Sequence, residues 1–270
     1  MCHLPWTTLG EMKQFFATIC VLLSLWPVGY AARNWTVIRF GVDPSYPPFE
    51  SKAPSGELVG FDIDLGKALC ERLKARCVWV ENDFDGMIPA LKARKIDAVL
   101  SSMAITEKRL RQIDFTDKLF LTPTRLVART DANLLPATAS LYGKNVGVEQ
   151  GTVQEIYART YWEPQGVKVV SYQNQNQVYA DLVSGRLDAS LQDAVQAQLG
   201  FLNTPEGKGF AFAGPEIDDP KILGTGSGIG LRKEDSDLKD ALNQALAGIL
   251  KDGTYQAIEK KYFNFDIHGG

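Results

Sequence analysis

The octapeptide Leu91-Lys92-Ala93-Arg94-Lys95-Ile96-Asp97-Ala98 recurs in outline as Leu182-Val183-Ser184-Gly185-Arg186-Leu187-Asp188-Ala189. Each copy reads as a helix end, a turn and the start of a buried strand. A second pair keeps the same order, Gly41-Val42-Asp43 closing one strand-like run and Gly147-Val148-Glu149 another. Two matches in the same order predict two similar α/β lobes. Strand-like and helix-like patterns alternate from Thr36 onward, the signature of an α/β fold with largely parallel sheets.

Strands are expected over 37–42, 78–80, 95–100, 145–148, 167–172 and 187–191. Helices are expected over 61–74, 84–93, from Val153, and over 177–183, 236–250 and 254–262. Apolar or β-rich stretches near 119–127 and 222–231 read as two crossings between lobes. The second contains Gly224-Thr225-Gly226-Ser227-Gly228-Ile229-Gly230, which lacks the Lys-Ser/Thr ending of a phosphate loop and runs into strand-like Ile229-Gly230-Leu231. A glycine hinge is the expectation there.

Residues 15–28 are almost uninterruptedly apolar yet short for a bilayer, with Lys13 before them and Gly29-Tyr30-Ala31 after. This is the pattern of an export signal cleaved after Ala31, and Met12-Lys13 offers an alternative start. Roughly 240 residues then remain, enough for two modest domains. Cys70 and Cys77 are the cysteines left, and an even pair in an exported chain predicts a disulfide. A metal site is the rival reading, but His268 is the one histidine available to complete it. The same scarcity leaves no Ser-His-Asp or Cys-His arrangement unless His268 folds into a cleft, so neither metal nor cofactor is expected. A net charge of −3 carries no nucleic-acid or membrane footprint.

Open α/β sheets place ligands beyond the carboxyl ends of their strands, so Asp43, Ser101, Glu149 and Asp193 are expected to face one cleft. In the loop Ser101-Ser102-Met103-Ala104-Ile105-Thr106-Glu107-Lys108-Arg109, Thr106 reads as the N-cap of a short helix, which puts Arg109 in the first turn. A cation is electrostatically misplaced there unless an anion arrives to pair with it and with the free N–H groups. A carboxylate fits, gripped by the guanidinium while Ser102 and loop amides take its other lone pairs. The plain alternative is an exposed Arg beside Glu107. Asp193 is placed to take the ammonium of an amino acid. The turn Gln150-Gly151-Thr152-Val153-Gln154-Glu155 reads as a capping box that leaves the Val153 amide free.

These segments, together with Gly60-Phe61-Asp62-Ile63-Asp64-Leu65, Gln192-Asp193 and Lys261-Tyr262-Phe263, resemble the periplasmic polar-amino-acid-binding family, solute-binding protein family 3. The similarity covers essentially all of the chain after Ala31 and points to the lysine/arginine/ornithine- and histidine-binding members. It implies a type II periplasmic-binding-protein fold, in which each lobe is a mostly parallel sheet flanked by helices and two hinge strands join the lobes. The implied division is 1–31 signal, 32–121 and 224–270 first lobe, and 122–223 second lobe. The resemblance further implies a monomeric, periplasmic, non-enzymatic component of an ABC importer that captures a cationic amino acid by cleft closure and hands it to an inner-membrane permease.

By position, the resemblance implies that Tyr46 and Phe84 sandwich the ligand side chain while Asp43, Asp62 and Ser101 receive its distal positive group. The plainer readings are core packing for Phe84, a turn for Tyr46 and helix N-terminal acids for Asp62 and Asp64. Three positions depart from the family pattern: Ala104 and Val153 replace hydroxyl residues, and Glu149 replaces leucine. The added carboxylate at Glu149 ranks arginine ahead of lysine and ornithine, with histidine lower, and the Ala104 change leaves room for an opine derivative. Two other functions stay open. One is a dehydratase on the same scaffold acting on prephenate-like acids, which an acidic cleft opposes; the other is a sensor presenting its ligand to a receptor.

Overall fold

In the computed structural model, which describes residues 35–269, the internal echo becomes two matching five-stranded sheets. The expected signal over 1–31 and the alternative start at Met12 lie outside the described residues. In the first sheet Val37–Val42 lies parallel between Arg76–Glu81 and Ala98–Val99, and Gly230–Leu231 runs antiparallel between Ala98–Val99 and Asp114–Phe115. In the second, Asn145–Glu149 lies parallel between Lys168–Tyr172 and Ala189–Asp193, and Thr124–Arg129 runs antiparallel between Ala189–Asp193 and Phe210–Phe212. Each sheet therefore has one reversed strand, and in each it is the strand that follows a crossing from the other lobe.

The echoed residues hold the two sheets in the same way. A Cβ on Gly41 would meet Ile96 Cδ1 at 2.5 Å, and one on Gly147 would meet Leu187 Cδ1 at 2.3 Å, so both strands need glycine to let an equivalent aliphatic side chain close over them. Asp97 accepts the N–H of Arg39 at 3.0 Å and Asp188 accepts that of Asn145 at 2.8 Å. Arg94 and Gly185 both turn with positive φ, at 58° and 79°. The two lobes thus share one folding recipe.

Helices cover both faces of each sheet. Phe61–Leu73 packs Phe61, Leu65 and Leu69 with Leu238, Leu242 and Leu246 of Ser236–Lys251 on one face of the first sheet, while Met87, Leu91 and Ile96 fill the other. Cys70, near the end of the first of these helices, is disulfide-bonded to Cys77 in the adjoining strand, with Cα atoms 5.9 Å apart. Asp64 accepts hydrogen bonds from Lys261 Nζ and Tyr262 Oη, each at 3.0 Å, which ties the C-terminal helix Thr254–Tyr262 to this lobe. His268 donates from Nδ1 to the Leu119 carbonyl and packs edge-on to Tyr255, so it does not enter the cleft. No helix among the described residues is long and apolar enough to cross a membrane.

The crossings run side by side. Ser227 N–H donates to the Phe120 carbonyl and Leu119 N–H to the Ser227 carbonyl, both at 2.8 Å. Gly224 and Gly226 have φ of 88° and 132°, and a Cβ on either would strike the carbonyl oxygen of Ile105 or Phe120. The glycines therefore serve close backbone approach at the crossings. The strand expected over 95–100 is regular only at Ala98–Val99, flanked by bonds to the neighbouring strand from Asp97 N–H to the Arg39 carbonyl at 2.8 Å and from Leu100 N–H to the Gly41 carbonyl at 3.1 Å, while the turn before it takes up Lys95.

Candidate functional site

Between the lobes lies a cavity of about 460 Å³. Its lining brings together Asp43, Tyr46, Phe84, Ser101, Ser102, Ala104, Arg109, Glu149, Thr152, Val153 and Asp193, eleven of the twelve residues singled out above. Asp62 does not line it. The fully buried Asp62 carboxylate sits behind the wall, where Oδ2 accepts the Ser102 N–H at 2.8 Å and the Ser102 hydroxyl at 3.2 Å. This also corrects the expectation for Ser102, whose donors point at Asp62 and not toward the neighbourhood of Arg109. A positive φ of 50° aims them there.

Glu50 lines the cavity and escaped the sequence reading. It is 1% exposed, and Oε1 accepts the Ser101 hydroxyl at 2.8 Å, while the same hydroxyl accepts the Asp43 N–H at 3.0 Å. Its neighbour Phe49 stacks on Phe120 of the first crossing at 4.9 Å, which anchors the short strand Glu50–Lys52. Burial, with Asp62 as the next contributor, holds the Glu50 carboxyl well above its ordinary range. Burial raises Asp62 as well.

Asp43 accepts the N–H groups of Ser45 at 3.0 Å and Phe84 at 3.1 Å, so it fixes the turn that presents the Phe84 ring. Burial still raises its carboxyl. Glu149, at the matching strand end in the other lobe, lines the same cavity as Asp43; burial first and the charge of Asp43 second push it well above the usual carboxylate range. Asp193 caps the helix Ala194–Ala197 by accepting the Gln196 N–H at 2.9 Å and also accepts the Thr122 hydroxyl. Burial pushes it up to about 6.

Arg109 opposes this acidity. Thr106 caps the helix Glu107–Leu110 as expected, its hydroxyl accepting the Arg109 N–H at 3.2 Å. The guanidinium is buried, not exposed beside Glu107: Nη1 donates to the Ala104 carbonyl at 2.8 Å and Nη2 to the Gly151 carbonyl of the other lobe at 3.0 Å. It lies 5.3 Å from the Phe84 ring centroid, and burial lowers its pKa to about 10. The capping box is shifted by one residue. Thr152 accepts the Glu155 N–H, but the Glu155 carboxylate accepts the Gly151 N–H at 2.7 Å in place of that of Thr152.

The lobes also touch at the rim, where Gln150 Nε2 donates to Asp85 at 2.9 Å and Gln173 Nε2 donates to Asp83. A cleft with five buried carboxyls at or just behind its wall, three further acids at Glu216, Asp218 and Asp219, one guanidinium and hydrogen bonds from lobe to lobe defines a protein that encloses a small solute. The chain belongs to the bacterial extracellular solute-binding proteins, family 3, which it matches over residues 38–265. It is 54% identical over 233 residues to the histidine-binding periplasmic protein of Salmonella typhimurium, covering 86% of this chain and 90% of that one. It is 51% identical over 260 residues to the lysine/arginine/ornithine-binding periplasmic protein of Escherichia coli, covering 96% and 100%. Among solved structures, an ancestral arginine-binding protein bound to arginine superposes with a TM-score of 0.80 at 36% identity, covering 86% of this chain and all of that one.

Proposed function

We propose that this chain is the periplasmic solute-binding component of an ABC importer and that it captures a cationic L-amino acid, arginine ahead of lysine and ornithine and these ahead of histidine. The observation that carries this is the charge pattern of the cavity: Asp43, Glu50 and Glu149 gather at one part of the wall, while Arg109 holds only neutral carbonyls and has no carboxylate within ion-pair distance among the described residues. A ligand with a distal cation and a carboxylate satisfies both ends.

In this reading Arg109 takes the ligand carboxylate with the Val153 amide, Asp193 the ammonium, Tyr46 and Phe84 the stem of the side chain, and Asp43, Glu50, Ser101 and Glu149 its distal charge. The lobes divide at 121/122 and 223/224. Export with cleavage after Ala31, a monomeric state and docking of the closed form on an inner-membrane permease complete the proposal. The acidic residues Glu216, Asp218 and Asp219 lining one side of the cavity rank an opine, with its second carboxylate, last. The same acidity opposes catalysis on a dianionic acid.

Thermal unfolding of the mature chain with about 1 mM of arginine, lysine, ornithine, histidine, octopine or glutamate tests this. Micromolar affinity stabilises by ~4 kcal/mol, about 8 °C or more for a chain of this size. A shift with arginine and none with glutamate is expected; the reverse order refutes the assignment.

A further inference from the structure

Resting on the cleft as a cationic amino-acid site, we propose that Asp43 and Glu149 form a charge gate: the cleft closes only with one positive charge between these carboxyls, supplied by the ligand's guanidinium or, failing that, by a proton from solvent. The two residues end the echoed tripeptides Gly41-Val42-Asp43 and Gly147-Val148-Glu149 and sit at the carboxyl ends of equivalent strands, one in each lobe. Closure therefore drives two matching positions of the fold against each other. Each is 4% exposed, and among the described residues neither has a Lys or Arg within ion-pair distance. Both line the same cavity, and two carboxylates brought together out of water strongly disfavour joint ionisation without a cation.

Among the described residues no surrounding group supplies that charge. Asp83 and Asp85 flank Phe84 and face Glu149, Glu50 and Tyr46 face the pair from the short strands near residue 50, and Asp193 lies at the neighbouring strand end. All are acids or neutral. Arg109, the cation lining the same cavity, is committed to the Ala104 and Gly151 carbonyls. Burial raises both gate carboxyls, which is the direction a shared proton requires.

A guanidinium is suited to the gate because it is planar, stays charged and offers donors to both sides at once. Closing over it transfers no proton to the gate. Citrulline has nearly the same shape, with a neutral urea in place of the guanidinium, and closing over it must draw one proton from the buffer onto the Asp43–Glu149 pair. Arginine is then favoured over citrulline by the cost of that proton, a preference that narrows by about tenfold for each pH unit of acidification until the pair is protonated in the open state as well.

The test is isothermal titration of the mature chain with L-arginine and L-citrulline at about pH 5.5, 6.5 and 7.5, in two buffers of different ionisation enthalpy. Parent, Glu149→Gln and Glu149→Leu are compared, with circular dichroism to confirm that each is folded. In the parent, citrulline is expected to take up about one proton more than arginine, and the affinity ratio is expected to fall with acid. In either variant the extra proton and most of the pH slope disappear. Arginine binding with a ratio that is constant over pH, or a parental slope in the folded variants, overturns the gate and leaves the transport reading standing. Absence of arginine binding at every pH overturns both.

Discussion

Arg109 donates across the cleft to the Gly151 carbonyl at 3.0 Å, so the buried cation of one lobe is held by a neutral oxygen of the other. Carbonyls satisfy its hydrogen bonds without compensating its charge, and burial costs that charge enough to lower its pKa to about 10. In the proposed reading the ligand carboxylate enters at this contact, beside Gly151 and the Val153 amide.

Arg109→Ala is expected to weaken arginine binding by about 2 to 5 kcal/mol, because it leaves the ligand carboxylate desolvated and unpaired. Arg109→Lys should recover part of the loss as a point charge without the planar fork. Isothermal titration measures both. An Arg109→Ala protein that binds within about threefold of the parent, under ~1 kcal/mol, removes Arg109 from the site.

Gly151→Ala tests closure. Gly151 has φ of 81°, and a Cβ there would come within 2.8 Å of Asp85 Cα in the facing lobe. The left-handed backbone costs the variant about 1 kcal/mol of stability. Gly151 and Asp85 lie in different lobes, so on the proposed cleft closure this clash acts on ligand binding, and the affinity should fall by a further tenfold or more. Denaturant unfolding and titration separate the two effects; equal small losses in both would place the clash within reach of easy relaxation.

Asp97 is expected to give the protein part of its acid lability. Burial alone would raise this carboxyl, but hydrogen bonds from the Arg39 side chain and backbone outweigh it, with the charges of Arg39 and Arg232 adding, and its pKa is held below the ordinary 3.8. A depressed carboxyl contributes stability above its unfolded pKa and loses it as pH falls through the folded one. Asp97→Asn should therefore cost about 2 to 4 kcal/mol at pH 7, discounted from a fully buried pair because Arg39 is 39% exposed. The gap between variant and parent should close well below pH 3.8. Urea unfolding across that range checks it, and a pH-independent gap assigns the loss to packing.

The two-lobed plan was legible because glycine, aliphatic and aspartate positions recur together, and Gly41 with Ile96 and Gly147 with Leu187 prove to be the same contact twice. Helix starts at Thr106 and Thr152 were legible because a hydroxyl N-cap is a local signal. Glu50 was not, since it sits in a three-residue strand with no usable periodicity and its burial depends on Phe49 stacking on distant Phe120. The clue was a carboxylate following Pro47-Pro48-Phe49, which only tertiary structure turns into a cavity wall. Ser102 was misjudged because its left-handed backbone, unusual for serine, turns its donors toward Asp62.

Replacing Cys70 and Cys77 together by serine should lower unfolding free energy by about 2 to 3 kcal/mol, the loop-closure value for so short a ring. Neither residue lines the cavity, so ligand affinity should be unchanged. Parallel unfolding and titration of the double variant decide this, and a loss of affinity would show that the disulfide supports the cleft.

The most direct measurement is isothermal titration of the mature chain, freed of carried-over ligand by unfolding and refolding, with L-arginine and then L-glutamate. Binding of arginine at micromolar affinity or tighter, about −8 kcal/mol or better, with no heat from glutamate, is the expected result. Binding of glutamate, or silence toward arginine, lysine, ornithine and histidine alike, would contradict a cleft built around Arg109 and a wall of buried carboxyls.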